Sequence, residues 1–232
     1  MASKRQGLPD NKKNYPEIVA DLKRRESKLK AELKRKETLL KEIHHRLKNN
    51  IQIISSLLRL QAGAAQDENL LEVLAASQSR IRSISLIHEK LYQSRDLATV
   101  DFGDYIRGLA GQVIHLAGVK PSAVRLEVQA ERVRLGAKRA IPCGLIINEL
   151  ILNALKHAFP QGKTGTIRIE LKPKAGGRYL LIVSDDGVGL PESIDIQRPE
   201  RLGLQIVRDL VKQLDGRLDI ERRAGTTFRI TF

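Results

Sequence analysis

Ile43-His44-His45-Arg46-Leu47-Lys48-Asn49-Asn50-Ile51-Gln52 sets two adjacent histidines inside a long run of charged and aliphatic residues. The run counts in sevens. With Val19, Glu26, Leu33, Leu40, Leu47 and Ile54 as one core series, the other is Leu22, Leu29, Lys36, Ile43, Asn50 and Leu57. Nine of these twelve positions are apolar. A repeat sustained this far predicts a coiled-coil-like helix running to about Leu60. In this register His44 takes the flanking e position and His45 takes f, which points away from a partner helix. A histidine that must be reached from outside belongs at f, so the register favours His45 as the reactive one.

Working outward, residues 1–16 are polar, carry Gly7, Pro9 and Pro16, and read as a disordered or linker segment. On the other side, residues 61–67 read as a turn, with Gly63 as breaker and Asp67 as helix cap. A second helix follows, because Leu70, Leu74, Ser77, Ile81, Ile84, His88 and Leu91 alternate at spacings of four and three. Two antiparallel helices of this kind expose an apolar stripe that two chains can bury as a four-helix bundle. A homodimer is the expectation, weakened locally by Lys36 and Asn50 at core positions.

Bulk composition narrows the classes. The 232 residues are enough for two small domains, and with 41% apolar but only 3% aromatic content the core must be built from Leu, Ile, Val and Ala. Cys143 is the sole cysteine, which excludes an internal disulfide. No segment reads as a signal peptide. The most apolar stretch, residues 140–155, is interrupted by Asn148 and Glu149 and is too short to span a bilayer, so a cytoplasmic chain without a membrane span is expected. The net charge is +14, of which residues 1–48 carry +8. Charges there alternate in sign, as in Lys23-Arg24-Arg25-Glu26, and no aromatics interleave to stack on bases. That pattern reads as a solvated helix face rather than a specific nucleic-acid surface.

Beyond residue 101 the periodicity changes. Residues 102–116, 141–159 and 202–214 read as helices, with Pro142 in the first turn of the second. Residues 124–128, 166–171, 179–184, 218–221 and 227–232 read as strands, with a turn at Gly176-Gly177. Helices and strands mix without strict alternation, which predicts an α+β fold. The expected domains are a coiled-coil and helical-hairpin domain over residues 17–98 and an α/β sandwich over residues 99–232.

Four polar elements stand in the second half. In Asn148-Glu149-Leu150-Ile151-Leu152-Asn153-Ala154-Leu155-Lys156-His157, Asn153 lies four residues after Glu149, on the same helix face. An amide oxygen suits Mg²⁺, a neighbouring carboxylate can orient or deprotonate a water or hydroxyl, and Lys156 can reach a phosphate. Asp185-Asp186-Gly187-Val188-Gly189 follows a strand. Its first carboxylate can accept from an exocyclic amine, and Gly187 and Gly189 let backbone approach a ligand. Gly203 and Leu204 open a helix, whose first amides attract phosphate, and Gly225-Thr226-Thr227-Phe228 forms a turn. Residues 190–201, with Pro191 and Pro199, suit a mobile lid. Each element alone has an ordinary reading as a buried helix, a turn, a cap or a hairpin; their order together is what informs.

Jointly they resemble the Bergerat-type ATP-binding domain shared by histidine kinases, gyrase, Hsp90-type chaperones and mismatch-repair ATPases. The resemblance implies ATP as ligand, adenine at Asp185, Mg²⁺ at Asn153 and a phosphate-facing Gly203. Asn148, Lys156, His157, Gly187, Gly189, Leu204 and Thr226 complete the implied nucleotide site. No P-loop pattern is present. Two departures stand out: Arg201 occupies a position that is usually small, and the lid is short.

The histidine stretch, Ile87-His88-Glu89-Lys90-Leu91-Tyr92 and Val100-Asp101-Phe102 extend the resemblance to sensor histidine kinases whose helix reads His-His-Arg-x-Lys-Asn-Asn. His157 is similar to the neighbouring HWE kinases, although their Trp-x-Glu element is missing. The family implies a phosphoacceptor at His45, phosphotransfer to an aspartate of a response regulator receiver domain, and a signal from an upstream sensor domain or partner. Arg46 follows His45 where commoner kinases carry an acidic base. Glu42, one turn earlier, is the candidate base, and the resemblance implies that Asn49 aims a water during dephosphorylation. The alternatives are a non-kinase ATPase of the same superfamily and a catalytically silent scaffold.

Overall fold

The computed structural model describes residues 15–93, 99–118, 123–130, 133–196, 199 and 201–232, without the side chains of residues 44, 91–93 and 161. The expectations for residues 1–14, for the connection at 94–98 and for the side chains of His44 and Leu91 lie outside the described residues. The chain divides into two compact units, one ending at Leu47 and the other running from Lys48 to Phe232.

Helix α1 spans Tyr15–Ala64, and its boundary between units falls within the helix. Its surface is laced by pairs one turn apart: Arg25 with Asp21, Lys30 with Glu26, Lys36 with Glu32 and Arg46 with Glu42. Such pairs each contribute only about 0.3–0.5 kcal/mol. The heptad residues bring no core of their own, since Leu29 is 66% and Leu33 60% exposed. Helix α1 runs four residues past the expected end, so Gly63 sits in its last turn and does not break it. The connection shrinks to residues 65–67, and helix α2 spans Glu68–Gln93. Asp67 is its cap, its Oδ1 accepting from Asn69 N at 2.9 Å.

The remaining elements of the second unit are β1 (Thr99–Asp101), α3 (Phe102–Leu116), β2 (Val124–Ala130), β3 (Arg134–Gly136), α4 (Ala137–His157), β4 (Gly165–Lys174), β5 (Arg178–Asp185), α5 (Leu202–Gln213), β6 (Arg217–Glu221) and β7 (Thr226–Thr231). One sheet has the order β2-β4-β5-β7-β6, parallel between β2 and β4 and antiparallel elsewhere. Burial along β4 alternates, with Ile167, Ile169 and Leu171 inside and Arg168 outside. The inner face meets Ile146, Ile147 and Ile151 of α4, all fully buried. Each such side chain contributes about 1.5–3 kcal/mol by leaving water. The α+β sandwich expected from the sequence is the fold found.

Three local differences have physical causes. Strands β1 and β3 pair only with each other over three residues, too short to show a period. Helix α4 begins at Ala137, because Gly136 supplies an extended cap and Ala137-Lys138-Arg139-Ala140 are good helix formers. Pro142 therefore lies in the second turn of α4, not its first, and is buried against the core.

Candidate active site

Helix α4 is the wall on which the site is built. Its inward residues include Asn148, fully buried, and Glu149, also buried. Polar groups there need partners, and α2 supplies them. Ser79 Oγ donates to Asn148 Oδ1 at 2.7 Å, and Ser83 Oγ donates to the same oxygen at 3.1 Å. Arg80 grips Glu149 at two points, Nε to Oε1 and Nη2 to Oε2, both at 2.8 Å. Asn148 Nδ2 donates to Glu149 Oε1 at 3.2 Å. Two turns further along, Lys156 Nζ donates to Glu72 Oε2 at 2.8 Å, and this hydrogen bond is the main reason the Glu72 carboxyl stays below its usual range. Lys156, expected to face phosphate, is thus paired with α2 in this arrangement.

Sequence reasoning missed Glu72, Ser79, Arg80 and Ser83. The apolar spacing of α2 and its Ile87–Tyr92 stretch say nothing of these four. The available signal was on α4, where an adjacent Asn and Glu inside an apolar run require donors from another element.

A cavity of about 270 Å³ opens beside α4. Its polar lining is Asn153, His157, Asp185, Arg201 and Thr226; Leu150, Val188, Leu190, Ile194, Leu204 and Phe228 make it mainly apolar. Of the expected site residues, Gly189 also lines it, whereas Asn148, Glu149, Lys156, Gly187 and Gly203 do not. Asp185 closes β5, where its Oδ1 accepts from Gly187 N at 3.1 Å and Thr226 N at 3.3 Å. Burial raises its pKa above the ordinary value, and these hydrogen bonds oppose the rise. The surrounding backbone is close-packed. A Cβ on Gly225, whose φ is +103°, would stand 1.9 Å from the Asp185 carbonyl oxygen, and one on Gly187 would stand 2.3 Å from that of Ala158. Both glycines serve the fit of the Asp185 turn.

Toward α5 the groups are hard oxygens. A Cβ on Gly203 would lie 3.0 Å from Glu149 Oε2 and 3.6 Å from Asn153 Oδ1. Asn153 Nδ2 is buried with no hydrogen-bond partner among the described residues. Arg201 caps α5, its carbonyl accepting from Leu204 N and Gln205 N at 3.1 Å each. Its Nη1 meets His157 Nε2 at 2.8 Å. Burial foremost, then the charges of Arg201 and Lys156, hold the His157 pKa below its usual value, so the neutral ring accepts from the guanidinium. The segment expected to serve as a lid borders the cavity through Leu190, Pro191 and Ile194, and Arg222 Nη2 donates to the Ile194 carbonyl at 2.8 Å.

On α1, His45 and Asn49 are exposed. Glu42 Oε1 accepts from Arg46 Nη2 at 2.6 Å and Nε at 3.1 Å. The candidate base is therefore engaged by the arginine that follows His45.

A half-buried carboxylate seated on backbone amides, beside a helix bearing Asn and Glu and opposite a helix with Gly203 in its first turn, defines a nucleotide-binding α/β sandwich; here a histidine-bearing helix pair precedes it. Residues 42–117 match the family model described as histidine kinase. Residues 139–232 match that of the histidine kinase-, DNA gyrase B- and HSP90-like ATPases, which implies ATP binding. The solved histidine kinase domain of the Erythrobacter litoralis EL346 blue-light-activated histidine kinase superposes with a TM-score of 0.62 at 30% identity, covering 84% of this chain and 91% of that one. The sensor histidine kinase PdtaS of Mycolicibacterium smegmatis is 38% identical over 180 residues, 77% of this chain and 36% of its own length. Blue-light-activated histidine kinase 2 of Erythrobacter litoralis is 31% identical over 189 residues, 78% of this chain and 52% of its own. The chain belongs to the sensor histidine kinases, a family of ATP-dependent phosphotransferases. It spans about a third to a half of the length of these curated relatives. Among the described residues, no helix is long and apolar enough to cross a membrane.

Proposed function

We propose that this chain is the kinase core of a two-component sensor. It binds Mg·ATP in the α4–α5 cavity, phosphorylates its own His45 and passes the phosphoryl group to an aspartate on a response regulator receiver domain. The observation that carries the reading is Asp185, whose carboxylate is fixed by Gly187 and Thr226 amides at the wall of a mainly apolar cavity. A planar base fits such a wall, and the carboxylate accepts from its exocyclic amine. Asn153 and Glu149 present oxygens toward Gly203, which fits a Mg²⁺ that keeps waters and bridges phosphates. When bound, that ion neutralises phosphate charge.

Imidazole is a nucleophile only when neutral. A neutral ring nitrogen of His45 attacks the γ-phosphorus, ADP leaves and the ring N–H proton passes to a base, for which Glu42 is the candidate. Asn49, one turn beyond His45, aims the water that removes phosphate from the regulator; a dephosphorylation assay with Asn49→Ala is expected to show slowed loss. The exposed heptad leucines of α1 support a homodimer, which sedimentation would test. The expected division at residues 17–98 and 99–232 fits this assignment of labour, and an upstream sensor domain or partner supplies the signal.

The test is incubation with Mg²⁺ and γ-labelled ATP, comparing His45→Gln with His44→Gln. Acid-labile, base-stable label lost only in His45→Gln is expected. Label lost only in His44→Gln moves the phosphoacceptor. Bound ATP with released phosphate and no labelled protein would instead support an ATPase.

A further inference from the structure

Arg80 lies on α2, outside the ATP-binding family match at residues 139–232, yet its guanidinium holds both oxygens of Glu149. The pair is nearly dry, with 17% of the Arg80 side chain and 4% of the Glu149 side chain exposed. Two-point guanidinium–carboxylate geometry fixes the plane of the carboxylate as well as its position. The same stretch of α2 fixes the neighbouring amide. Ser79 and Ser83 both donate to Asn148 Oδ1, which turns Asn148 Nδ2 onto Glu149 Oε1. Every donor to Glu149 in this network is either on α2 or oriented by it.

Two observations argue for more than packing. A buried ion pair contributes little to stability compared with apolar side chains of similar volume, and α2 already packs apolar residues such as the fully buried Ile87. Moreover, the carboxylate is aimed. Its Oε2 lies 3.0 Å from the place a Gly203 Cβ would take, alongside Asn153 Oδ1 at 3.6 Å. The grip thus sets an oxygen at the start of α5, where backbone amides attract phosphate. A candidate catalytic group oriented by a third residue is the usual way such a carboxylate is kept in register.

We propose that Arg80 is a positioning residue of the nucleotide site, orienting Glu149 through both carboxylate oxygens and making the phosphate end of the site conditional on α2 being docked against α4. This rests on the reading that the site binds Mg·ATP and that Glu149 acts there. A shift of α2 then reaches the chemistry without any contact to nucleotide.

The experiment compares Arg80→Gln, Arg80→Lys, Glu149→Gln and the Arg80→Gln/Glu149→Gln double variant of this chain. Autophosphorylation is measured across Mg·ATP concentrations, and ADP affinity reports that the fold is kept. Arg80→Gln is expected to lower the maximal rate at least about tenfold while KM moves less than about threefold, since misplacement alone is costly. Arg80→Lys, which keeps the charge and loses the two-point grip, recovers part of the rate. The double variant is no more than about twofold slower than Glu149→Gln, because Arg80 works only through that carboxylate. A wild-type rate in Arg80→Gln, or slowing that multiplies with Glu149→Gln, overturns the proposal. If Arg80→Gln no longer binds ADP, Arg80→Lys decides: a reduced rate with normal ADP affinity supports the role, and an unchanged rate overturns it. An unlabelled wild-type chain overturns the kinase reading and Arg80's role with it, whereas a labelled wild type indifferent to Arg80 overturns only the latter.

Discussion

Helices α1 and α4 both carry candidate chemistry, and they are built in opposite ways. Helix α1 displays its apolar series to solvent, with Leu33 60% exposed, and holds its surface together with pairs one turn apart. Helix α4 buries Ile146, Ile147 and Ile151 completely and buries Asn148 and Glu149 beside them. The difference matches two tasks. A phosphoacceptor must be met by a donor and later by a regulator, so it belongs on a surface whose stability comes from elsewhere. A nucleotide site must hold oxygens in a fixed pattern, which a packed helix or strand does and an exposed surface does not.

The largest effects that would break this contrast are on stability. Ile151→Ala, at a site with no exposure, is expected to cost about 2–5 kcal/mol. Leu33→Ala is expected to change the stability of the isolated chain by less than about 0.5 kcal/mol, while shifting any self-association. Thermal unfolding and sedimentation of both variants provide the check. Equal losses in unfolding would mean that α1 is packed as α4 is.

Much of this organisation was legible in the sequence, and the failures are local. The alternation Thr166-Ile167-Arg168-Ile169 gave β4 its face, and the heptads of residues 19–57 gave α1 its length. The positions of Asn153, Asp185, Thr226 and Leu204 around one cavity follow from the order of four motifs. What could not be read was pairing between distant elements. Arg80 and Glu149 are 69 residues apart, and no periodicity in α2 marks Ser79 or Ser83 as donors. Likewise Lys156 looks available for phosphate until Glu72 is found beside it. Nor does the sequence mark the start of α4 ahead of Pro142, because the preceding Ala137-Lys138-Arg139-Ala140 carries no apolar period.

A smaller effect separates stability from function at the cavity beside α4. Burial raises the Asp185 pKa above its ordinary 3.8, although two amides hold it. The sign follows. Below the unfolded value the neutral carboxyl is held without cost, and the cost of the charge appears as pH rises through the folded value. Asp185→Asn is therefore expected to be as stable as wild type, or more so, at neutral pH. Its ATP affinity should nevertheless fall at least about tenfold, because a charged acceptor is lost. Calorimetric binding and unfolding on the same samples separate the two, and a parallel loss of both would show that the carboxylate is structural.

His157 gives a subtler test at the same cavity. Its pKa lies below the usual 6.5, through burial first and then Arg201. Its contribution is fully present above the unfolded value and is lost as pH falls through the folded one. Protonation removes the acceptor for Arg201 Nη1, which now stands 2.8 Å away, and sets two cations against each other. A histidine NMR titration should place His157 below 6.5, and Arg201→Ala should move it only part of the way back, because burial is the larger cause. A full return would make Arg201, not burial, the dominant influence.

A small stability effect returns to α1. Glu42 and Arg46 form a pair whose side chains are 56% and 77% exposed, so solvent screens it strongly. Glu42→Gln is expected to cost no more than a few tenths of a kcal/mol, far less than Ile151→Ala on α4. Its effect on chemistry is predicted to be larger than its effect on stability. If Glu42 takes the proton from His45, autophosphorylation slows while Mg·ATP affinity is unchanged, and Arg46 must release the carboxylate for each transfer. Arg46→Gln then acts in the opposite sense, freeing Glu42 and leaving the rate equal to or above wild type. An unchanged rate in Glu42→Gln removes it as the base, and slowing in both variants assigns the pair to holding the helix face around His45.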